Sequence, residues 1–425
     1  MNRGANSDYI PTDLIYEILS RLHAKSIARF RYVSKLWKSM LCQPYFTKLF
    51  HTNSSSNPRL LIGVVQGGEW SFFSSPQPKN HYENSSLVVA ADFHMKFSED
   101  RIQHYCSYAS GLIYFANMRI SKDDENEVRA ICNPSTGQHA ILPPDLKSTL
   151  RSCNGFLGFD PIGMQFKVLV LNRRVDGQLV YQILTLGTEN MRWREIEFPS
   201  YSGLVSEMIC INGVLYYNNH KNIGCFDVRS EKFKFLNQNP DCLTSWSTKM
   251  INYKGKFGVT NLEDDYAGGF PLKLRMWVLD DVKKQEWTTY AYTLRAENIV
   301  EDNNYIYVVG VTASGEIVLA KNNAHKPFYV FYFNPERNTL RSVEIQGVRE
   351  EEEWSNNHRV YYFVDHVADL RFNVMKTTYA ATSISPPEHN TSTSSREDHQ
   401  VRTVAHHRRF ESVNKFDALC LLEDD

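Results

Sequence analysis

A few side chains in this 425-residue sequence are of types that could perform chemistry. They are Cys153, the pairs His104 with Cys106 and His406 with His407, and the group Asp365, His366 and Asp369. An isolated cysteine is more often a buried structural thiol than a nucleophile, and neither histidine pair has a second ligand pair at metal spacing. The acidic group is interpreted as a polar corner of a β-rich region. We therefore assign no catalytic residue, no metal site and no cofactor.

The sequence also lacks the motifs of the common enzyme classes. It contains no Gly-x-Ser-x-Gly elbow, phosphate-binding loop, dinucleotide fingerprint or His-Glu-x-x-His motif. These absences favour a binding protein over an enzyme.

The composition is typical of a soluble protein with two or more domains. Apolar residues make up 42% of the chain, and the formal net charge is −1, so no overall field draws the molecule to nucleic acid or to a membrane. The first residues contain no apolar run for a signal peptide, and the 8 cysteines form no Cys-x-x-Cys pair. We expect reduced thiols and a location in the cytoplasm, the nucleus or both.

Residues 8–50 are predicted to form a module of three helices. The first helix follows Pro11 and carries an apolar stripe at helical period, formed by Leu14, Ile15, Ile18, Leu19 and Leu22. Ser26 and Ser34 are predicted to cap the second and third helices, and Pro44 to end the third. One short turn is expected after Pro44, and the polar stretch 51–58 is predicted to be a linker.

The apolar period changes to two over residues 59–375. A unit of glycine, apolar strand, second strand, polar turn and return strand recurs there, marked by Gly111, Gly155, Gly213, Gly255 and Gly315. Units of about 40–60 residues are typical of kelch-like propeller blades. We predict an all-β, propeller-like domain of about six irregular blades, separate from the helical domain. Residues 376–425 have a low-complexity composition and are predicted to be a disordered tail.

The helical segment carries more apolar side chains than one interior face can hide. A cap on the β domain is one explanation, but the polar linker between the two domains argues against it. The alternative is that the segment offers an apolar surface to a partner protein.

This segment resembles an F-box. The matching residues are Ile10-Pro11 at the start, Glu17-Ile18-Leu19, Arg21-Leu22, Lys25-Ser26 and Val33-Ser34-Lys35 with Trp37. One departure is His23, which stands where the family often has proline. The β region resembles the F-box-associated domain of a large plant family, through segments that begin at Asn133, Phe156, Asn212, Phe226 and Phe328.

The resemblance implies a substrate-recognition subunit of an SCF cullin–RING ubiquitin ligase. It implies that the F-box binds a Skp-type adaptor, and through it the cullin and RING subunits, while the β domain presents an unidentified protein substrate. The adaptor-binding residues are predicted to be Ile10, Pro11, Leu14, Ile18, Leu22, Val33 and Trp37. Ubiquitin transfer needs a zinc-bound RING or a thioester cysteine domain; the sequence shows neither, so the chain is predicted to be non-catalytic.

Nucleic-acid binding by the basic N-terminal helices is the alternative. Lys25, Arg29, Arg31, Lys35 and Lys38 could contact phosphates. A recognition helix, however, needs polar side chains on its exposed face, and the third helix is crowded with apolar ones. The basic charge is better explained as a solvated face, or as a complement to an acidic partner.

Target recognition is predicted to lie on loops at one face of the β domain. The longest irregular inserts are Lys122 to Asn126, Asp241 to Ser247 and Glu263 to Phe270. Within them, Trp246 and Tyr266 are the predicted substrate-binding residues, because aromatic side chains are enriched at protein interfaces.

Overall fold

A computed structural model gives the structure of the chain. It describes residues 10–374 except 67, 79–86, 99–105, 120–126, 145–150, 174–177, 189–190, 198–206, 219–221, 237–246, 264–270, 296–305, 322–326 and 349–358. The predicted tail, 376–425, lies outside the described residues. No helix in the described part is long and apolar enough to cross a membrane.

Four helices come first in the described chain, and we call residues 10–55 the helical module. They are α1 (Thr12–Ser20), α2 (Ala24–Phe30), α3 (Lys35–Leu41) and α4 (Pro44–Ser55). Ser34 caps α3 as predicted, because its hydroxyl accepts a 3.2 Å hydrogen bond from the Trp37 amide. The prediction for Ser26 is wrong: α2 begins two residues earlier, since the carbonyl of His23 accepts from the amides of Ser26 and Ile27.

The linker prediction for 51–58 is also wrong, because α4 continues to Ser55. The hydroxyl of Thr52 donates to the Lys48 carbonyl, and that of Ser55 donates to the His51 carbonyl. These polar side chains therefore bond back to the helix instead of ending it. Phe46 and Phe50 are buried and anchor the same helix.

The described strands form six sheets. The first contains β25 (Arg359–His366), β1 (Arg59–Gln66), β2 (Glu69–Pro76) and β4 (Asp92–Ser98), in that order. The second contains β5 (Cys106–Ala109), β6 (Leu112–Arg119), β7 (Glu127–Asn133) and β8 (Gln138–Ile141). The third contains β9 (Arg151–Asp160), β10 (Gln165–Arg173), β11 (Leu179–Thr185) and β12 (Arg194–Ile196).

The remaining sheets follow the same order. The fourth contains β13 (Glu207–Ile211), β14 (Val214–Asn218), β15 (Ile223–Asp227) and β16 (Lys232–Phe235). The fifth contains β17 (Thr248–Tyr253), β18 (Lys256–Glu263), β19 (Leu272–Asp281) and β20 (Glu286–Leu294). The sixth contains β21 (Ile306–Val311), β22 (Ile317–Lys321), β23 (Tyr329–Asn334), β24 (Thr339–Gln346) and, at its edge, β3 (Leu87–Ala90).

A core cluster fills each gap between neighbouring sheets. Leu61 and Trp70 of the first sheet pack with Ile113 of the second, and similar clusters join the second to the third and so on round to the sixth. The ring closes where Leu60 of the first sheet packs with Val330 of the sixth. These clusters bury most of the second and third strands on both faces; in β19, Lys273 and Arg275 alternate outward and are exposed. The predicted two-part fold, helices followed by a six-bladed propeller, is confirmed.

Two exchanges of strands hold the ring closed. The last strand, β25, pairs with β1 and so completes the first sheet, and β3 pairs in parallel with β24 of the sixth sheet. The first and last parts of the propeller therefore share two sheets.

Strand direction defines two faces of the propeller. The connections from first to second and from third to fourth strand lie at one end, which we call the turn face. The connections from second to third strand and from sheet to sheet lie at the other end, which we call the loop face. The helical module joins the turn face, because α4 leads into β1 at Arg59, which pairs with His366 at the end of β25.

Candidate functional site

One side of α1 is apolar and faces solvent. Tyr16 and Leu19 point inward and are buried, whereas Leu14 and Ile18, one helical turn apart, are 54% and 57% exposed. Ile10, just before the helix, is 55% exposed. The helical stripe recognised in the sequence therefore divides into an inner row and an outer row.

The corner between α2 and α3 is a second exposed apolar group. Val33 and Leu36 are 65% and 67% exposed, and Tyr32 is also exposed. The indole of Trp37 stacks on Phe30 with 5.5 Å between ring centroids, which fixes the corner from inside.

The structure separates the predicted adaptor-binding residues into two kinds. Five of them are exposed: Ile10, Pro11, Leu14, Ile18 and Val33. Leu22 and Trp37 are half-buried and pack against the core of the helical module. Tyr32, Leu36 and Tyr45 are not among the predicted residues, although all three are exposed. Tyr32 and Leu36 could have been found from the sequence, because they lie next to the Val33-Ser34 match to the F-box.

α1 and α4 run in the same direction, towards the propeller. The Tyr16 hydroxyl donates to Gln43 at 3.2 Å, and the Asn53 side chain donates to the Ser20 hydroxyl at 2.7 Å. These contacts place α1 and α4 side by side in the same direction. Because α4 leads into the propeller, the Ser20 end of α1 lies next to the propeller and the Ile10 end lies away from it.

His23, the departure from the family pattern, adopts a backbone conformation that proline also adopts. Its φ of −63° and ψ of 144° place it at the N-cap of α2. Its ring lies 3.5 Å from the carboxylate of Asp92 at the propeller. The turn between α1 and α2 therefore keeps its shape without proline.

Part of the basic charge of the helical module is engaged within the molecule. The Lys25 ammonium donates to the His94 carbonyl and lies 5.4 Å from the centre of the Phe93 ring. The Arg31 guanidinium donates to the Leu41 carbonyl at 2.9 Å. Arg29, Lys35 and Lys38 remain exposed. The five cations considered for phosphate binding therefore do not form one set of solvent-facing side chains.

The acidic and histidine side chains near residue 366 are bound to separate partners. The two nitrogens of His366 lie 2.7 Å from the Ser135 hydroxyl and 3.1 Å from the Tyr108 hydroxyl. Burial, followed by the charges of His94 and Arg59, lowers the pKa of His366 to about 3. Burial raises the pKa of Asp365, whose carboxylate accepts from Gln77. These contacts tie blades and turns together.

The predicted target-binding residues, Trp246 and Tyr266, lie outside the described residues. Trp246 lies in sequence between β16 and β17, and Tyr266 between β18 and β19. The end of the first strand and the start of the second strand in each pair lie at the loop face. Within the described chain, no three His, Cys, Asp or Glu side chains are grouped closely enough to hold a metal ion.

Comparison with known families agrees with this geometry. Residues 59–367 match the model of the F-box associated beta propeller domain, and residues 8–49 match the F-box domain. This chain belongs to the F-box proteins with an F-box-associated propeller. The resemblance recognised in the sequence is therefore confirmed, and the exposed apolar side chains of α1 lie within the F-box.

Relatives of this F-box protein match it over its whole length. It is 58% identical to F-box protein At1g31080 of Arabidopsis thaliana, an alignment that covers 100% of both chains. It is 55% identical to putative F-box protein At1g31090 of the same plant, over 96% of this chain and 100% of that one.

Proposed function

We propose that this F-box protein is a substrate-recognition subunit of an SCF ubiquitin ligase. The observation that carries the proposal is the outer row of α1, where Leu14 and Ile18 are more than half exposed on a small helical module. Exposed apolar groups concentrated in this way are typical of interaction surfaces. F-box domains bind Skp-type adaptors, and this row is where we place the adaptor.

In the proposed complex, the chain connects an adaptor to a target. The adaptor brings the cullin and RING subunits, and those partners supply the ubiquitin-transfer chemistry. The loop face holds the protein substrate, and Trp246 and Tyr266 remain the first side chains to test there. Since the helical module joins the turn face, the adaptor and the target bind opposite ends of the molecule.

The test of adaptor docking is a Leu14→Ala/Ile18→Ala double variant of the full chain. Both side chains are exposed, so their truncation leaves the core of the helical module intact, which is not true of the half-buried Trp37. Losing interface anchors costs on the order of 2 kcal/mol or more, so affinity for a purified Skp-type adaptor should fall by about 30-fold or more.

Val282→Ala is the matched control, because Val282 is 49% exposed on a propeller turn. Its affinity for the adaptor should equal that of the wild-type chain. Adaptor binding that survives in the double variant at wild-type strength would remove α1 from the interface, and a wild-type chain that binds no Skp-type adaptor would defeat the proposal as a whole.

A further inference from the structure

The core of the helical module is completed by residues that follow the last strand of the propeller in the sequence. We call residues 367–374, which follow the closing strand β25, the return segment. Leu370 is 6% exposed and belongs to the same cluster as Tyr16, Leu19 and Phe50, with Ala368 packed beside it. In the described chain, these two residues are the members of that cluster that come from outside residues 15–50.

The return segment is fixed to the turn face on both sides of Leu370. Before it, the Asn133 side chain donates to the Asp369 carbonyl at 2.9 Å, and the backbone passes so close to Gly111 that a Cβ there would lie 2.9 Å from the Val367 carbonyl oxygen. After it, Phe372 packs on Phe166 with ring centroids 4.9 Å apart. These contacts hold Leu370 in place against the helices.

Arg371 fastens the return segment to α4. Its guanidinium donates to both carboxylate oxygens of Asp369, at 2.9 and 2.6 Å, and to the ring of His51 at 3.1 Å. Burial is the main cause that lowers the pKa of His51, which favours the neutral imidazole that can accept this hydrogen bond. Asp369 is itself buried, so the pair is shielded from screening by water.

The rest of the junction is loosely filled. A cavity of about 460 Å³ lies between the helices and the propeller, and its wall includes polar residues such as Ser20, Arg59 and His94 as well as apolar Leu22 and Phe50. Apolar side chains that line an unfilled cavity contribute little contact across it. Among the described residues, Leu370, with Ala368 beside it, supplies the apolar contact between the return segment and the core of the helical module.

We propose that Leu370 is a positioning residue of the adaptor-binding site, so that an adaptor-competent F-box requires a closed propeller ring. β25 closes the ring by pairing with β1 and ends at His366, four positions before Leu370. If β25 leaves the first sheet, Leu370 leaves the helical core with it. The inference rests on the proposed function, because it assigns the adaptor to α1.

The test compares Leu370→Ala with Phe372→Ala in the full chain, without adaptor, by hydrogen exchange. Both changes remove apolar side chains of the return segment that pack in the protein, but Phe372 is half-buried and packs on the third sheet, in a cluster separate from that of the helices. Leu370→Ala should speed exchange of the α1 and α4 amides by about tenfold or more, while the amides of β17 to β20 stay at wild-type rates. Phe372→Ala should leave α1 and α4 unchanged.

Titration with the adaptor then tests whether Leu370 positions the adaptor-binding surface of α1 or only stabilises the fold. Leu370→Ala should weaken binding of a Skp-type adaptor, and the near-isosteric Leu370→Met should restore it to within about twofold of wild type. Unchanged exchange in α1 and α4, unchanged adaptor affinity, or equal effects from Phe372→Ala would each overturn the inference. The exchange experiment contains no adaptor, so a failure of the proposed function is seen separately, as a wild-type chain that does not bind one.

Discussion

In the propeller, the large apolar side chains of each sheet are covered by the next sheet, whereas in the helical module many of them contact solvent. Seven large apolar residues are exposed among residues 10–55, and seven among the far longer described part of 59–374. A ring of sheets covers its own strands through repetition, but a module of four short helices cannot. A partner of the helical module can therefore bind the surfaces of its helices, whereas a partner of the propeller is left with the connections between strands.

The largest expected effect is the difference in stability between a variant that truncates a covered side chain and one that truncates an exposed side chain. Trp70 is fully buried between the first two sheets, 5.1 Å from the Phe115 ring and 4.8 Å from the Tyr361 ring. Trp70→Ala should lower the free energy of unfolding by about 3–5 kcal/mol, whereas Leu14→Ala should change it by less than about 0.5 kcal/mol. Thermal and denaturant melts measure both. Equal losses would mean that Leu14 is covered and that the contrast between the regions is wrong.

The second effect is on the pH dependence of stability, and it concerns the junction of the two regions. Burial, then the charge of Arg59, lowers the pKa of His94 to about 4 from an ordinary value of 6.5, and His366 is lowered further. The unfolded chain binds protons first as pH falls, so stability should decrease below pH 6.5 by about 1.4 kcal/mol per pH unit for each such histidine.

His94→Gln isolates one of these titrations. The amide can keep the hydrogen bond that the His94 ring makes with the Ser74 hydroxyl at 2.8 Å, but it binds no proton. Between about pH 6 and 5, the variant should lose stability less steeply than the wild type by about 1.4 kcal/mol per pH unit. The carboxylates are the same in both chains, so identical slopes would show that His94 is not held neutral.

The smallest effect is the difference in stability loss when alanine replaces either of two glycines with similar positive φ angles. Gly111 has φ +86° beside the return segment, and Gly137 has φ +75° with nothing within 4 Å of an added Cβ. Alanine at either position costs about 1–2 kcal/mol for the left-handed backbone. Gly111→Ala should cost about 1 kcal/mol more, because the return segment must move. Melting curves that give equal losses would mean that the contact at Gly111 is not tight.

Much of this architecture could be predicted from local signals. The apolar period located α1 and the strands, the Ser34 hydroxyl identified the start of α3, and the recurring glycines indicated units of about 40–60 residues, of which the β region has room for about six. These features depend on neighbours within a few residues. Two exposed positions of α1 could also be selected from the sequence, since Leu14 lies in the apolar stripe and Ile18 lies both in that stripe and in the Glu17-Ile18-Leu19 match to the F-box.

Contacts between distant parts of the chain could not be predicted in this way. Thr52 and Ser55 are typical of a linker, and they are helical because Phe46 and Phe50 anchor α4 in a core that includes Leu370. No local pattern indicates that Leu370 completes a module more than 300 positions earlier in the sequence. Leu22 and Trp37 are predicted to bind the adaptor, and the structure places them half-buried against the core of the helical module; apolar period alone does not distinguish the inner row from the outer row.

The central claim is that the adaptor binds α1 and not the loop face of the propeller. Replacing either Leu14 or Leu179 with a photo-crosslinking amino acid tests it most directly. Both leucines are exposed, and they mark the outer row of α1 and the loop-face start of β11. Each full-length variant is mixed with a purified Skp-type adaptor and irradiated. We expect a covalent adduct with the adaptor from position 14 and none from position 179. An adduct from position 179, or none from position 14, would contradict it.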